Sequence, residues 1–349
     1  MATAVSARAL VPIFNCGKRR RSVLIVPPVP IPSQRRAVID VGTNSVKLLV
    51  AQVSGRQVDP LLEQSEQTRL GSGFYETHRL QPVTIAQTAR AVAEFARKAA
   101  EWSVVSTRVI ATSAARDALN QEELLAAIRT ASGLAVEVIS GEQEADWAFR
   151  GVGSAPLFTG QPLLIVDVGG GSTQFILGEG DHQQFRHSFP LGAVRLMERL
   201  PHSDPPKPDE WELCRATLED FLEHQVHPVI DSELRTFSSR VVQLVGTGGT
   251  ASVLARIELA LASYDRERIE ALPLSLELVS RQRERLWSLP LLERRKIVGL
   301  PLDRADVILT GVAIYEVLMK LFGFPHLRVS TRGLRFAAVL AQRGSVPII

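Results

Sequence analysis

Cysteine is close to absent: Cys16 and Cys214 are the only two in 349 residues. They make no disulfide framework and show no metal-ligand spacing, which fits a reducing compartment. Long apolar runs are missing as well. The stretch from Val23 to Ile31 is short and broken by Pro27, Pro28 and Pro30, so no segment reaches the length needed to cross a bilayer and a membrane partner is excluded. Acid is missing from one end. Of the 40 basic residues, seven (Arg8, Lys18, Arg19, Arg20, Arg21, Arg35, Arg36) lie in residues 1–36 with no acid beside them, leaving 33 against 37 acidic side chains in the rest. The net charge of +3 is thus a property of the tail. A body that is slightly acidic offers no extended surface for duplex nucleic acid, and any anion site must be a local pocket. The Pro-rich, aperiodic residues 1–36 are expected to be disordered, as a targeting segment or as a translation start assigned too early. Localisation is expected to be cytoplasmic, or in an organelle if that tail is a transit peptide.

What is present is a repeat. Ala37-Val38-Ile39-Asp40-Val41-Gly42-Thr43-Asn44-Ser45 recurs 127 positions later as Leu164-Ile165-Val166-Asp167-Val168-Gly169-Gly170-Gly171-Ser172. Each copy is a short apolar run that ends in Asp, turns through glycine and small polar residues, and resumes as a second run at Val46 to Val53 or Phe175 to Leu177. That pattern is a β-hairpin whose turn can cradle an anion. Glycine lets backbone N–H groups approach closely, Thr43, Ser45, Ser172 and Thr173 add hydroxyls, and the Asp can hold a cation. One copy alone is an ordinary tight hairpin; two imply related lobes that face a shared ligand.

With 45% hydrophobic and 22% charged residues the chain can bury two cores. Gln67 to Gly73 reads as a loop. Helices are expected at Pro82 to Trp102 and 120–131, strands at Arg108 to Ala111 and Ala135 to Ile139, and a lobe boundary within Ser154 to Pro162. Domains are therefore expected at 37–158 and 159–349, with the terminal helix after Gly333 open to joining the first. Helices dominate from 209 to 230. A strand at Val241 to Val245 then leads into Gly246-Thr247-Gly248-Gly249-Thr250 and a helix through Leu261. A glycine turn that opens a helix gathers unpaired N–H groups at the positive end of a dipole.

Taken in order, D-V-G-T-N-S at 40–45, R-L-G-x-G at 69–73, T-S-A-A-R at 112–116, V-I-S-G-E-Q-E-A at 138–145, D-V-G-G-G-S-T at 167–173, G-T-G-G-T at 246–250 and P-x-x-R-A-D-V-I at 301–308 resemble the exopolyphosphatase/guanosine pentaphosphate phosphohydrolase family. The resemblance runs from about 37 to 340 and looks like a short, two-domain form. It implies an α/β, two-lobe actin-like fold of ribonuclease-H type, with a cleft between the lobes. It also implies Mg²⁺-dependent release of terminal phosphate from inorganic polyphosphate and/or guanosine pentaphosphate, a nucleotide of the stringent response, with polyphosphate or guanosine penta/tetraphosphate as the partner bound. A homodimer stays open.

On that resemblance Glu144 becomes the catalytic base, although an acid at a helix start is otherwise a cap or dipole partner; its neighbour Glu142 is then the expected cap. Arg116 becomes the phosphate-neutralising cation and Arg69 a second. Asp40 and Asp167 are expected to hold Mg²⁺. Phosphate oxygens would be gripped by Gly42, Thr43, Asn44 and Ser45, by Gly169, Gly170, Gly171, Ser172 and Thr173, and by Gly246, Thr247, Gly248 and Gly249. One position departs from the family. Gln174 stands where the family usually has Glu, which keeps an acceptor oxygen and loses a charge at the metal site. Two further readings stay open: a non-hydrolysing polyphosphate or guanosine-phosphate sensor, and an ATP-dependent kinase of the same superfamily.

Overall fold

Two β-sheets carry the chain, in a computed structural model that describes residues 33–237 and 240–341. The first is built from β1 (Gln34–Val41), β2 (Val46–Ser54), β3 (Gln57–Glu66), β4 (Ser106–Ala111) and β5 (Val136–Val138), in the order β3-β2-β1-β4-β5. The second uses β6 (Pro162–Val168), β7 (Thr173–Glu179), β8 (His182–Phe189), β9 (Gln243–Thr247), β10 (Leu274–Ser275) and β11 (His326–Val329), ordered β10-β11-β9-β6-β7-β8. The repeat extends to topology. In each sheet three antiparallel strands form a meander and its first strand pairs in parallel with a later one, β1 with β4 and β6 with β9.

The tail expectation needs one correction. Residues 1–32 lie outside the described residues, but Gln34, Arg35 and Arg36 are strand, paired with Val53, Gln52 and Ala51 of β2. The ladder satisfies their backbone groups while the two guanidinium groups reach Gln52 and the Leu340 carbonyl.

The central strands read as unbroken apolar runs because both faces are covered. Along β1, Ala37, Ile39 and Val41 join a core with the helices Pro82–Glu101 and Gln121–Ser132, while Val38 points the other way toward Phe336 and Trp147. All seven residues of β6 are buried. Its inner face packs on the Gly141–Gly153 helix through Ala145, Ala148, Phe149 and Val152. The opposite face packs on the Gly248–Glu258 and Ile308–Leu321 helices. The short helix Leu334–Ala338 returns to the first sheet, against Val38, Leu49 and Ala51. It crosses the Gly141–Gly153 helix so closely that a Cβ on Gly151 would lie 2.2 Å from the Gly333 carbonyl oxygen. Only glycine fits there. No described helix is long and apolar enough to cross a membrane.

The polar edge strands β3 and β8 are not announced by any apolar alternation. Most of their positions are exposed or half-buried, and Pro60 is tolerated on the edge beside the bulge between Val50 and Ala51.

Candidate functional site

The two hairpin turns face one another and close in the same way. Gly42 N–H donates to the Ser45 carbonyl at 3.0 Å and Gly169 N–H to the Ser172 carbonyl at 3.0 Å. A Cβ at Gly169 would sit 2.8 Å from that carbonyl oxygen, which explains the glycine. Each preceding Asp is buried at its strand end, Asp40 at 5% and Asp167 at 8% exposure. Between them lies a cavity of about 80 Å³. Its charged lining is Asp40, Lys47, Glu144, Asp167 and Arg304, with Gln174 beside them.

Antiparallel register places the residue seven positions after each Asp directly opposite it: Lys47 opposite Asp40, and Gln174 opposite Asp167. The same 127-residue offset that relates the aspartates relates Lys47 to Gln174. The site is thus assembled from two copies of one hairpin, with a cation in one and an amide in the other.

Glu144 enters from the first turn of the Gly141–Gly153 helix, which Ser140 caps by accepting from Gln143 N–H at 3.1 Å. Glu142, expected as the cap, instead faces Arg186 at 3.6 Å with its side chain 76% exposed. Glu144 itself is 6% exposed and its Oε2 lies 3.3 Å from Arg116 Nη1. Burial pushes its carboxyl up to about 8; Arg116 pulls it down, while Asp167 and Asp40 push it further up. Burial likewise raises Asp167 to about 6 and raises Asp40, with Lys47 opposing both shifts. Lys47 is lowered, by burial first, and Asp40 opposes that shift. Three carboxyls in one water-poor pocket resist ionising together, so the pocket is tuned to receive positive charge.

Two buried polar atoms there have no hydrogen-bond partner among the described residues, Asp40 Oδ1 and Ser113 Oγ. Stranding such atoms is costly without a ligand to meet them. For Mg²⁺, which is held by one or two carboxylates together with water and substrate phosphate, Asp40 and Asp167 are a fitting donor pair. No described group of three acidic, His or Cys side chains could hold a metal on protein ligands alone, so substrate oxygens would have to complete the shell. Gln174 donates its amide to Ser172 Oγ at 2.9 Å and Ser188 Oγ at 3.0 Å.

Most of the expected phosphate ligands are brought together: residues 42–45, 169–172 and Gly249 line the cavity. Five others are not in its lining. Thr173 alternates with Gln174 along β7 and so points into the core, where its hydroxyl donates to the Leu191 carbonyl. Gly246 and Thr247 belong to β9 and not to a loop. Gly248, at φ +84, abuts Asp167, where a Cβ would lie 2.4 Å from Oδ1. Arg69, expected as a cation for phosphate, spans to the other lobe and pairs with Asp306 at 2.6 Å. Its backbone N–H is held by the Asn44 carbonyl at 3.0 Å, and its guanidinium also donates to the Asp303 carbonyl. Arg116 touches Glu144 but lines a neighbouring cavity.

Three basic residues of the centre are additions to the expected set. Lys47 lies on the repeat itself. Arg304 sits over Gly249, where a Cβ would come within 2.0 Å of its Nη1. Arg335 donates to the Leu48 carbonyl at 2.9 Å, and its charge draws Asp40 and Asp167 toward ionisation. Lys47 was findable by aligning the two hairpins through to position seven; Arg304 stood in view as the Arg of the P-x-x-R-A-D-V-I motif at 301–308 but was given no role, and Arg335 carries no repeat signal.

A family model described as the Ppx/GppA phosphatase family matches residues 49–342. Exopolyphosphatase 2 of Mycobacterium tuberculosis is 32% identical over 328 residues, which span 89% of this chain and 99% of that protein. Among solved structures, the Aquifex aeolicus PPX-GPPA enzyme superposes with a TM-score of 0.71 at 32% identity, covering 89% of this chain and 100% of that one. An exopolyphosphatase from Cytophaga hutchinsonii gives 0.76 at 28% identity, over 87% and 96%. The expected α/β, two-lobe actin-like fold is the fold observed.

Proposed function

Because the chain belongs to the Ppx/GppA phosphatase family, we propose that its cleft hydrolyses the terminal phosphoanhydride of inorganic polyphosphate, with Glu144 as general base. The observation that carries this reading is the convergence of Glu144, Asp40 and Asp167 on one cavity walled by two glycine turns. Water attacks the terminal phosphorus in line. The new P–O bond forms as the bridging P–O bond breaks, the water's proton passes to Glu144, and a chain one phosphate shorter leaves. A carboxyl held near about 8 has a proton affinity matched to that task at neutral to mildly alkaline pH. Arg116, 3.3 Å away, orients the carboxyl and favours its ionised form.

Backbone N–H groups of the two turns receive phosphoryl oxygens, and Lys47 and Arg304 offset their charge. Mg²⁺, held by Asp40 and Asp167, would supply further charge neutralisation at the transferring group. Guanosine pentaphosphate presents the same terminal bond and is proposed as a second substrate class.

One observation favours a second reading, a binder that does not hydrolyse: Gln174 puts an amide where a carboxylate is usual in the family, and its donors are engaged by Ser172 and Ser188. Phosphate release measured from polyphosphate and from guanosine pentaphosphate, with and without Mg²⁺, separates the two. Metal-dependent release from polyphosphate is the expected result. Tight binding with no release from either substrate replaces the enzyme by the binder.

A further inference from the structure

We propose that Tyr75 and Ser113 form a hydroxyl cup that receives the third free oxygen of a chain-terminal phosphoryl group, and so make the cleft select chain ends over chain interiors. The inference rests on the phosphate cleft of the reading above. Chemistry sets the need for it. A terminal phosphoryl group carries three unbridged oxygens, whereas an internal one carries two. The two glycine turns account for two, so a cleft that selects ends needs a further receptor for the third.

That receptor lies at Gly171. A Cβ there would collide with the hydroxyl oxygens of Tyr75 and Ser113 and would lie 2.9 Å from Thr43 Oγ1. Three hydroxyls of the first lobe thus converge on one face of the second turn, which stays open because the residue is glycine. Two of them are orphans. Tyr75 Oη and Ser113 Oγ are shielded from solvent and have no hydrogen-bond partner among the described residues. Ser113 is 3% exposed, and a hydroxyl so enclosed is costly to leave unmet. Thr43, Ser113 and Gly171 line the cleft cavity, and Tyr75 packs on Ala193 and Val307, which line it too.

The phenol is fixed from outside the cup. Arg195 Cζ lies 4.3 Å from the centre of the Tyr75 ring, and Arg195 Nε donates to the Gly171 carbonyl at 2.8 Å. One guanidinium therefore holds both the ring and the turn that the ring faces. Glu198 accepts from the Gly73 N–H at 2.7 Å and the Tyr75 N–H at 3.4 Å, which ties the short Phe74–Thr77 helix to the Ala193–Arg199 helix. Burial pushes the Tyr75 hydroxyl up to about 12, against the pull of Arg195 and the neighbouring Thr43 hydroxyl. It keeps its proton at neutral pH and can donate it to a phosphate oxygen.

Tyr75→Phe is the test, because it deletes one oxygen and keeps the ring against Arg195. Calorimetric titrations with inorganic phosphate, which has a third free oxygen to offer, and with cyclic trimetaphosphate, which has no chain end, are run in Mg²⁺ on wild type, Tyr75→Phe, Ser113→Ala and the double variant, with melting curves. Expected is a phosphate affinity about tenfold weaker in each single variant, with the response to trimetaphosphate unchanged. The losses should fall short of additive in the double variant, since both hydroxyls serve one oxygen. Unchanged phosphate affinity overturns the proposal, and so does a wild type that binds no phosphate. Equal weakening toward phosphate and trimetaphosphate, with a lowered melting temperature, identifies a packing role and overturns it as well. Phosphate release from polyphosphate, measured alongside, tests the hydrolase reading by itself: a wild type that releases none but shows the selective loss keeps the cup, in a binder.

Discussion

Glu144→Gln should make the protein more stable, by an amount that grows with pH. Glu144 has an ordinary value of 4.5, which the fold raises to about 8, mainly by burial. A carboxyl raised on folding binds its proton more tightly in the native state than in the unfolded chain. Between the two values the native state holds the extra proton, so stability falls as pH rises through that window. Each pH unit costs about 1.4 kcal/mol. From 4.5 to neutrality the cost reaches about 3 kcal/mol, and it levels off above the folded value. The amide of Gln carries no such dependence.

For a chain of this size about 3 kcal/mol corresponds to a melting shift of roughly 4 °C. Calorimetry of wild type and Glu144→Gln without metal, at steps from pH 4.5 to 9, reads it directly. The two curves should meet near pH 4.5 and separate steadily to about pH 8, with the variant melting higher. A constant difference across that range refutes the reasoning, since the carboxyl would then titrate alike in folded and unfolded chains.

Two further substitutions test the hairpin pair. Gln174→Glu places a second carboxylate opposite Asp167 and should lower the Mg²⁺ concentration for half-maximal phosphate release; superimposed metal titrations would show that position 174 does not contact the metal. Lys47→Gln removes the cation opposite Asp40 and should reduce kcat/KM on polyphosphate about tenfold or more, with a normal melting curve. An unchanged kcat/KM would take Lys47 out of the phosphate site.

The two hairpins were legible because an Asp at a strand end followed by glycine and hydroxyl residues has a local physical meaning, and because it occurs twice. The helix start before Glu144 was also legible, but its cap was misassigned to Glu142, where Ser140 is the residue that accepts from Gln143 N–H. Other features depend on geometry that sequence spacing does not carry. Thr173 and Gln174 are neighbours in the chain, yet strand alternation sends one to the core and the other to the cleft. Arg69 and Asp306 meet across 237 residues, and Arg304 reaches Gly249 from a different segment. The edge strands β3 and β8 were hidden because strands wetted on one side carry little apolar signal.

The most direct test of the account is phosphate release from polyphosphate by wild type and Glu144→Gln, with polyphosphate binding measured in parallel. Loss of a general base lowers turnover by roughly 10²- to 10⁴-fold while leaving ground-state binding nearly intact. That combination is the predicted result. A variant that keeps most of its turnover contradicts the assignment of Glu144, and with it the mechanism built on the cleft.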